Sequence, residues 1–185
     1  MKRIVIDMDD VICDGGFLKL VNRFLNTKYI LEDITNYYIQ DLIPKERTKE
    51  WNIYFMKQNM YDYVDFLPNA YQVIEKLNKQ YDIYILTAYV HRDLPEYSGK
   101  FLEYKYNWLY EKLPFINPNQ YIFTTNKSII QCDIRIDDKL SNLEGNAETK
   151  FLFTSYHNKN YTEEYLKQMG VIRVNDWKAV EEILL

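Results

Sequence analysis

Residues 4 to 14 read IVIDMDDVICD, an apolar strand-forming run that ends in Asp7, Asp9 and Asp10, with Asp14 close behind. Like charges gathered where a buried strand surfaces must be relieved by protonation, by separation or by a cation. A second run of the same kind, IRIDDK, closes on Asp137 and Asp138. YILTAY puts the Thr87 hydroxyl at another strand exit, and Lys105 in EYKYNW and Lys127 in TTNKS supply positive charge. Each feature alone is ordinary, since acid pairs end solvated strands and lone lysines sit on surfaces. Together they form a reactive set. Acids from two strands can converge on one hard, oxygen-seeking cation such as Mg²⁺. A carboxylate beside it can attack phosphorus, while a hydroxyl and an ammonium hold the phosphoryl oxygens as charge redistributes.

Such a set needs a scaffold that brings distant strand ends together. RIVID (3–7), DIYILTA (82–88), QYIFTT (120–125), DIRIDD (133–138), KFLFTS (150–155) and VIRVN (171–175) have the length and the Ile, Val, Tyr and Phe content of strands. Helical periodicity runs through 69–80, 100–113 and 162–170, the last with Thr162 as N-cap and Gly170 as stop. NDWKAVEEILL closes the chain as a helix capped by Asn175 or Asp176. This alternation predicts an α/β fold, a mostly parallel sheet flanked by helices. From about Gly15 to Leu67 no convincing strand is visible, only helical stretches such as GFLKLVNRFLN and KERTKEWNIYFMKQN. The division expected is a Rossmann-like core of 1–14 and 68–185 with a small helical cap of 15–67. Hung near the carboxyl end of the first strand, the cap would act as a lid over its acids.

With 185 residues, 47% of them hydrophobic and 27% charged, the chain can bury one full-sized core. A net charge of −4 without a basic block argues against a nucleic-acid polymer as partner. Cys13 and Cys132 are too few for a disulfide framework or a zinc site. Without a membrane-length apolar run or a signal-peptide pattern, a cytoplasmic protein is expected. The 18 tyrosines leave a homodimer open.

The pattern DMDDV, YILT, a lysine and IRIDD resembles the four motifs of the haloacid dehalogenase superfamily of phosphotransferases, over nearly the whole chain. An acid two residues after the first Asp marks that superfamily's phosphatases and phosphomutases. More narrowly, IDMDDVICD, LTAY, EYKYNWLYEKL, IFTTNKSIIQCDIRIDD, FLFTSYHN and NDWKAV together resemble the 5'(3')-deoxyribonucleotidase family. That resemblance implies a Rossmann-like core with a small cap, and Mg²⁺-dependent removal of phosphate from nucleoside monophosphates. It implies that Asp7 attacks phosphorus and forms an aspartyl-phosphate. Asp9 would protonate the leaving oxygen, then activate water, and its backbone carbonyl would join Asp7 and Asp138 on the metal, with Asp137 in support. Thr87, Lys105 and Lys127 would hold the phosphate. Tyr37 and Tyr38 would either stack on a base or pack the cap against the core.

The chain departs from that family in places. CDGGF is short and offers Gly15 where an aromatic residue is expected, Thr125 stands where an arginine is expected, and Ala88 follows Thr87. The stretch from Thr87 to Lys105 is longer than its counterpart. Trp51 and Phe55 read as cap packing, His91 and Arg92 as solvated loop, and His157 and Asn158 as loop-orienting. Trp177 reads as the anchor of the last helix. Two other functions stand beside the nucleotidase: the same chemistry on a sugar phosphate or another small phosphate monoester, and a non-catalytic module that binds phosphate or nucleotide.

Overall fold

The strand carrying the first acids, β1 (Arg3–Ile6), is apolar on both faces because it runs through the middle of a sheet covered on both sides. In the computed structural model, which describes residues 1–34, 36–145 and 147–185, its neighbours come from far along the chain. The longer strands β4 (Asp82–Thr87) and β6 (Cys132–Asp137) flank it in parallel register, with Ile4 opposite Ile83 on one side and Ile134 on the other. β5 (Tyr121–Phe123) extends the sheet beyond β4, and β7 (Ala147–Phe153) and β8 (Ile172–Val174) extend it beyond β6. The order is β5-β4-β1-β6-β7-β8, all parallel. A parallel sheet gathers all its carboxyl ends on one edge, and Asp7, Thr87, Asp137 and Asp138 lie at the ends of the three central strands.

Helices α3 (Ala70–Leu77), α4 (Ser98–Lys112), α5 (Glu163–Gln168) and α6 (Trp177–Leu184) cover the sheet. The Thr162 side chain caps α5 by accepting from Tyr165 N, and the Asp176 side chain caps α6 by accepting from Ala179 N. Trp177 is fully buried against Phe153, and its indole donates to the Val11 carbonyl at 2.7 Å, so the last helix also pins the loop that carries the acids. Among the described residues no helix is long and apolar enough to cross a membrane.

The segment 15–67 holds α1 (Gly16–Leu25), α2 (Thr48–Phe55) and several short 3₁₀ turns. The expectation that it holds no strand needs one correction. β2 (Cys13–Asp14) pairs antiparallel with β3 (Asp65–Phe66), closing the base of the segment. Two-residue strands are too short to show alternation, so no periodicity marked them. Trp51 and Phe55 are buried, with ring centroids 5.5 Å apart and Phe17 within 5.6 Å of each. At Gly16 a Cβ would stand 2.6 Å from Val64 and 2.7 Å from the Met60 carbonyl, so only glycine lets α1 approach the 60–64 stretch this closely.

Candidate active site

The loop leaving β1 folds back on itself. Ile12 N and Cys13 N both donate to the Met8 carbonyl, Asp10 N donates to Cys13 O, and Asp10 takes a left-handed φ of 58°. This compact turn keeps Asp7, Asp9 and Asp10 on the sheet edge. The Asp7 carboxylate is buried, accepts from Met8 N at 2.7 Å, and lies 2.5 Å from the Lys127 ammonium. Lys127 also donates to Asp137 at 3.0 Å, and Asp137 accepts from Lys139 N and Asn142 Nδ2, both at 2.9 Å. Asp138 accepts or shares a hydrogen bond with His157 Nε2 at 2.6 Å. Carboxylate oxygens of Asp7, Asp137 and Asp138 lie within 4.8 Å of one another, and Asp10, Asp138 and His157 satisfy the same criterion.

A second charged pair stands beside the first. Lys105, fully buried on α4, donates to the Thr87 hydroxyl at 2.6 Å and to Asp9 Oδ2 at 2.5 Å. The other Asp9 oxygen accepts from the Tyr61 hydroxyl at 2.7 Å. An ammonium has three donors, and among the described residues these bonds engage two on each lysine, which leaves one apiece to turn toward an incoming anion.

Electrostatics follow from this crowding. Burial raises the Asp7 carboxyl to about 6, with Lys127 pulling it down and Asp137 and Asp9 pushing it up. Burial likewise raises Asp10, Asp137 and Asp138. Of the five clustered carboxyl groups (Asp7, Asp9, Asp10, Asp137 and Asp138), Asp7, Asp9 and Asp137 pair directly with the ammonium groups of Lys105 and Lys127, so acids outnumber the cations bonded to them. Clustered hard oxygen donors with that imbalance fit a divalent cation of the Mg²⁺ type.

The acids open into a cleft of about 340 Å³ lined by Asp7, Asp9, Lys127, Asp138, Tyr37 and Arg92 among others. Tyr37 and Tyr38 are partly exposed on its wall. The Tyr37 ring meets His157 edge-on at 4.8 Å, and the Lys139 ammonium lies 4.3 Å from its centroid. The Arg92 guanidinium lies 4.1 Å over the Tyr38 ring and pairs with Asp41 at 3.1 Å.

The structure thus brings Asp7, Asp9, Thr87, Lys105, Lys127, Asp137 and Asp138 into one cluster, with Tyr37 and Tyr38 on the cleft wall. Asp137 lies within the same 4.8 Å neighbourhood as Asp7 and Asp138, although its oxygens are already engaged. Two expectations change. His91 is not solvated: the loop folds back so that Ser98 Oγ accepts from His91 N, the ring packs 5.0 Å from Phe55, and burial lowers its pKa. His157 does more than orient a loop, because it meets the Asp138 carboxylate directly while Asn158 donates to the Asp138 carbonyl at 2.7 Å. No sequence pattern marks Tyr61 as a candidate site residue. Nothing local marks a tyrosine 52 positions from its partner.

Comparison with known proteins places this geometry in context. The family model described as "5' nucleotidase, deoxy (Pyrimidine), cytosolic type C protein" matches residues 1–185. A 5'(3')-deoxyribonucleotidase of Bacillus subtilis is 30% identical over 190 residues, covering all of both chains. A Staphylococcus aureus protein, provisionally given the same name, is 32% identical over 186 residues, covering 100% of this chain and 96% of its own. A haloacid dehalogenase-like hydrolase of Streptococcus pneumoniae shares the fold at a TM-score of 0.54 and 13% identity, over 99% of this chain and 98% of that one. The D,D-heptose 1,7-bisphosphate phosphatase of B. bronchiseptica, solved with magnesium and phosphate, does so at 0.52 and 14% identity, over 100% and 98%.

Proposed function

The chain belongs to the cytosolic type C deoxy(pyrimidine) 5'-nucleotidase family, phosphoric monoester hydrolases of haloacid dehalogenase-like fold, and on that premise we propose that it hydrolyses deoxyribonucleoside monophosphates with Mg²⁺ through an aspartyl-phosphate. One observation carries the reading. Asp7 at the end of β1 shares a 4.8 Å neighbourhood with Asp137 and Asp138 at the end of β6, while Lys105, Lys127 and Thr87 stand around them.

In this reading Asp7, Asp138 and the Asp9 carbonyl would hold the metal, with Asp137 supporting them through Lys127. The chemistry a bound Mg²⁺ would supply there is charge neutralisation of the phosphoryl oxygens. The chain's own groups do the rest. Asp7 attacks phosphorus in line, Thr87, Lys105 and Lys127 hold the equatorial oxygens, and Asp9 gives its proton to the departing sugar oxygen. In the second step Asp9 takes a proton from water as that water displaces Asp7 from phosphorus. Dividing the reaction this way suits a hydrolysis whose catalysed and uncatalysed rates differ by up to about 10²¹-fold.

Segment 15–67 acts as the cap, and Tyr37 and Tyr38 flank the nucleoside. The substrate is a small phosphate monoester handled without a nucleic-acid polymer or a membrane, in the cytoplasm. The deciding experiment is phosphate release from a panel of 5'- and 3'-deoxyribonucleotides, ribonucleotides and sugar phosphates, with and without Mg²⁺. Preferential turnover of deoxyribonucleotides is expected. Equal turnover of sugar phosphates would replace this reading with a general small-ester phosphatase. Borohydride trapping of an acyl phosphate at Asp7 tests the intermediate independently.

A further inference from the structure

Asp9 is the most exposed of the paired site acids, with its side chain 40% accessible, yet the chemistry assigned to it demands a fixed orientation. A carboxylate free to turn about its last bond exchanges its two oxygens. Here the exchange is blocked from one side. Tyr61, itself buried, donates its hydroxyl to Asp9 Oδ1 at 2.7 Å, while Oδ2 faces Lys105 at 2.5 Å.

Tyr61 is in turn held from several directions. Its backbone N–H donates to the Asn59 side chain at 3.0 Å, and Asn59 donates to Asp62 at 2.7 Å. Its ring packs 5.7 Å from Phe101 on α4. The preceding residue, Met60, lies against Gly16, where a Cβ would stand 2.7 Å from its carbonyl oxygen. A hydroxyl braced this way is preorganised, and preorganised donors need no rearrangement during reaction.

We propose that Tyr61 is a positioning residue for Asp9, holding Oδ1 so that Oδ2 exchanges the proton with the leaving group. This rests on the reading of Asp9 as acid and base. When a phosphoryl group draws the Lys105 ammonium away, Oδ2 is released toward the substrate while Oδ1 stays in place. In the first step Oδ2, having left Lys105 and taken a proton from solvent, passes that proton to the alkoxide as the Asp7–phosphorus bond forms and the phosphorus–alkoxide bond breaks. In the second, the water–phosphorus bond forms, the Asp7–phosphorus bond breaks, and the water's proton returns to Oδ2. The segment that closes over the substrate therefore also sets the reactivity of the acid beneath it.

The test compares leaving groups. Thymidine 5'-monophosphate expels an alkoxide that needs a proton, whereas p-nitrophenyl phosphate expels a phenolate that does not. Release of each alcohol is followed in a single turnover with enzyme in excess. Tyr61→Phe keeps the ring against Phe101 and removes only the hydroxyl; its thermal midpoint confirms folding. Thymidine release is expected to slow by about tenfold or more, a part of the roughly 10²–10⁴ that general acid catalysis contributes. Release of p-nitrophenol should change by less than about twofold on the same argument. In an Asp9→Asn background, Tyr61→Phe should slow neither substrate further. Equal slowing of both substrates, no slowing, or faster thymidine release in Tyr61→Phe would overturn the proposal alone. Unchanged thymidine release in Asp9→Asn would overturn the acid–base reading and this proposal with it.

Discussion

The Lys127 ammonium lies 2.5 Å from the Asp7 carboxylate, with both side chains more than nine-tenths buried, and the same ammonium reaches Asp137 at 3.0 Å. One cation thus bridges the ends of β1 and β6. Burial would discharge a lone lysine, but these acids overcome it and hold Lys127 well above the usual ammonium range. Lys127→Met should therefore cost more than an ordinary surface lysine, roughly 3–5 kcal/mol of stability in urea unfolding at neutral pH, because buried acids lose their counter-charge. A loss below about 1 kcal/mol, the scale of an exposed pair, would contradict this.

Removing the anion from the same pair should behave differently. Asp7 raised from 3.8 to about 6 costs on the order of 3 kcal/mol when ionised at pH 7. Asp7→Asn keeps an oxygen for Met8 N and leaves Lys127 paired with Asp137. Turnover should fall to background while the metal-free protein unfolds at the same urea concentration or a higher one. Retained turnover would reject Asp7 as the nucleophile.

The acid cluster also fixes a sign for pH dependence. A carboxyl whose folded pKa is raised contributes stability that is complete below its unfolded value, near pH 4, and is lost as pH climbs through the folded value, about 6 for Asp7. Asp10, Asp137 and Asp138 act in the same direction. Magnesium binding should offset that loss, by about 2.7 kcal/mol at a hundredfold excess over its dissociation constant. The rise in thermal midpoint on adding MgCl₂ to EDTA-treated protein should accordingly be larger near pH 7.5 than near pH 5. A rise that is equal at both, or larger in acid, counts against a metal held by these groups.

Arg92 offers a prediction about the cleft wall. It stacks over Tyr38 and pairs with Asp41 and Asp93, joining the loop after β4 to the 36–42 stretch. These contacts are exposed, so Arg92→Ala should cost less than about 1 kcal/mol of stability. KM for a nucleotide should rise about two- to fivefold, the equivalent of one exposed cation–π contact, with kcat unchanged. A fall in kcat at constant KM would show that the wall acts on the reaction step instead.

Much of the site was legible because its acids terminate strands. An apolar run such as IVID or IRIDD announces both a central parallel strand and the residue that surfaces at its end, so Asp7, Thr87, Asp137 and Asp138 could be read directly. The partners that tune them could not. The Tyr61 bond to Asp9 and the His157 bond to Asp138 join residues 52 and 19 positions apart through loops without periodicity. His91 reads as solvated because it lies in the long loop after Thr87, and its burial depends on Phe55 arriving from another segment. The β2–β3 pairing was hidden by its two-residue length.

The position of β1 between β4 and β6 has a kinetic corollary. Asp7 and Asp138 meet only after the amino-terminal strand docks against one some 130 residues later, a late and entropically expensive closure. Repulsion between the acids that follow β1 and those that end β6 is therefore absent from the early, partly collapsed chain and arises only when the sheet is complete. A cation that relieves it would slow the opening of the finished protein and leave the rate of its formation nearly untouched.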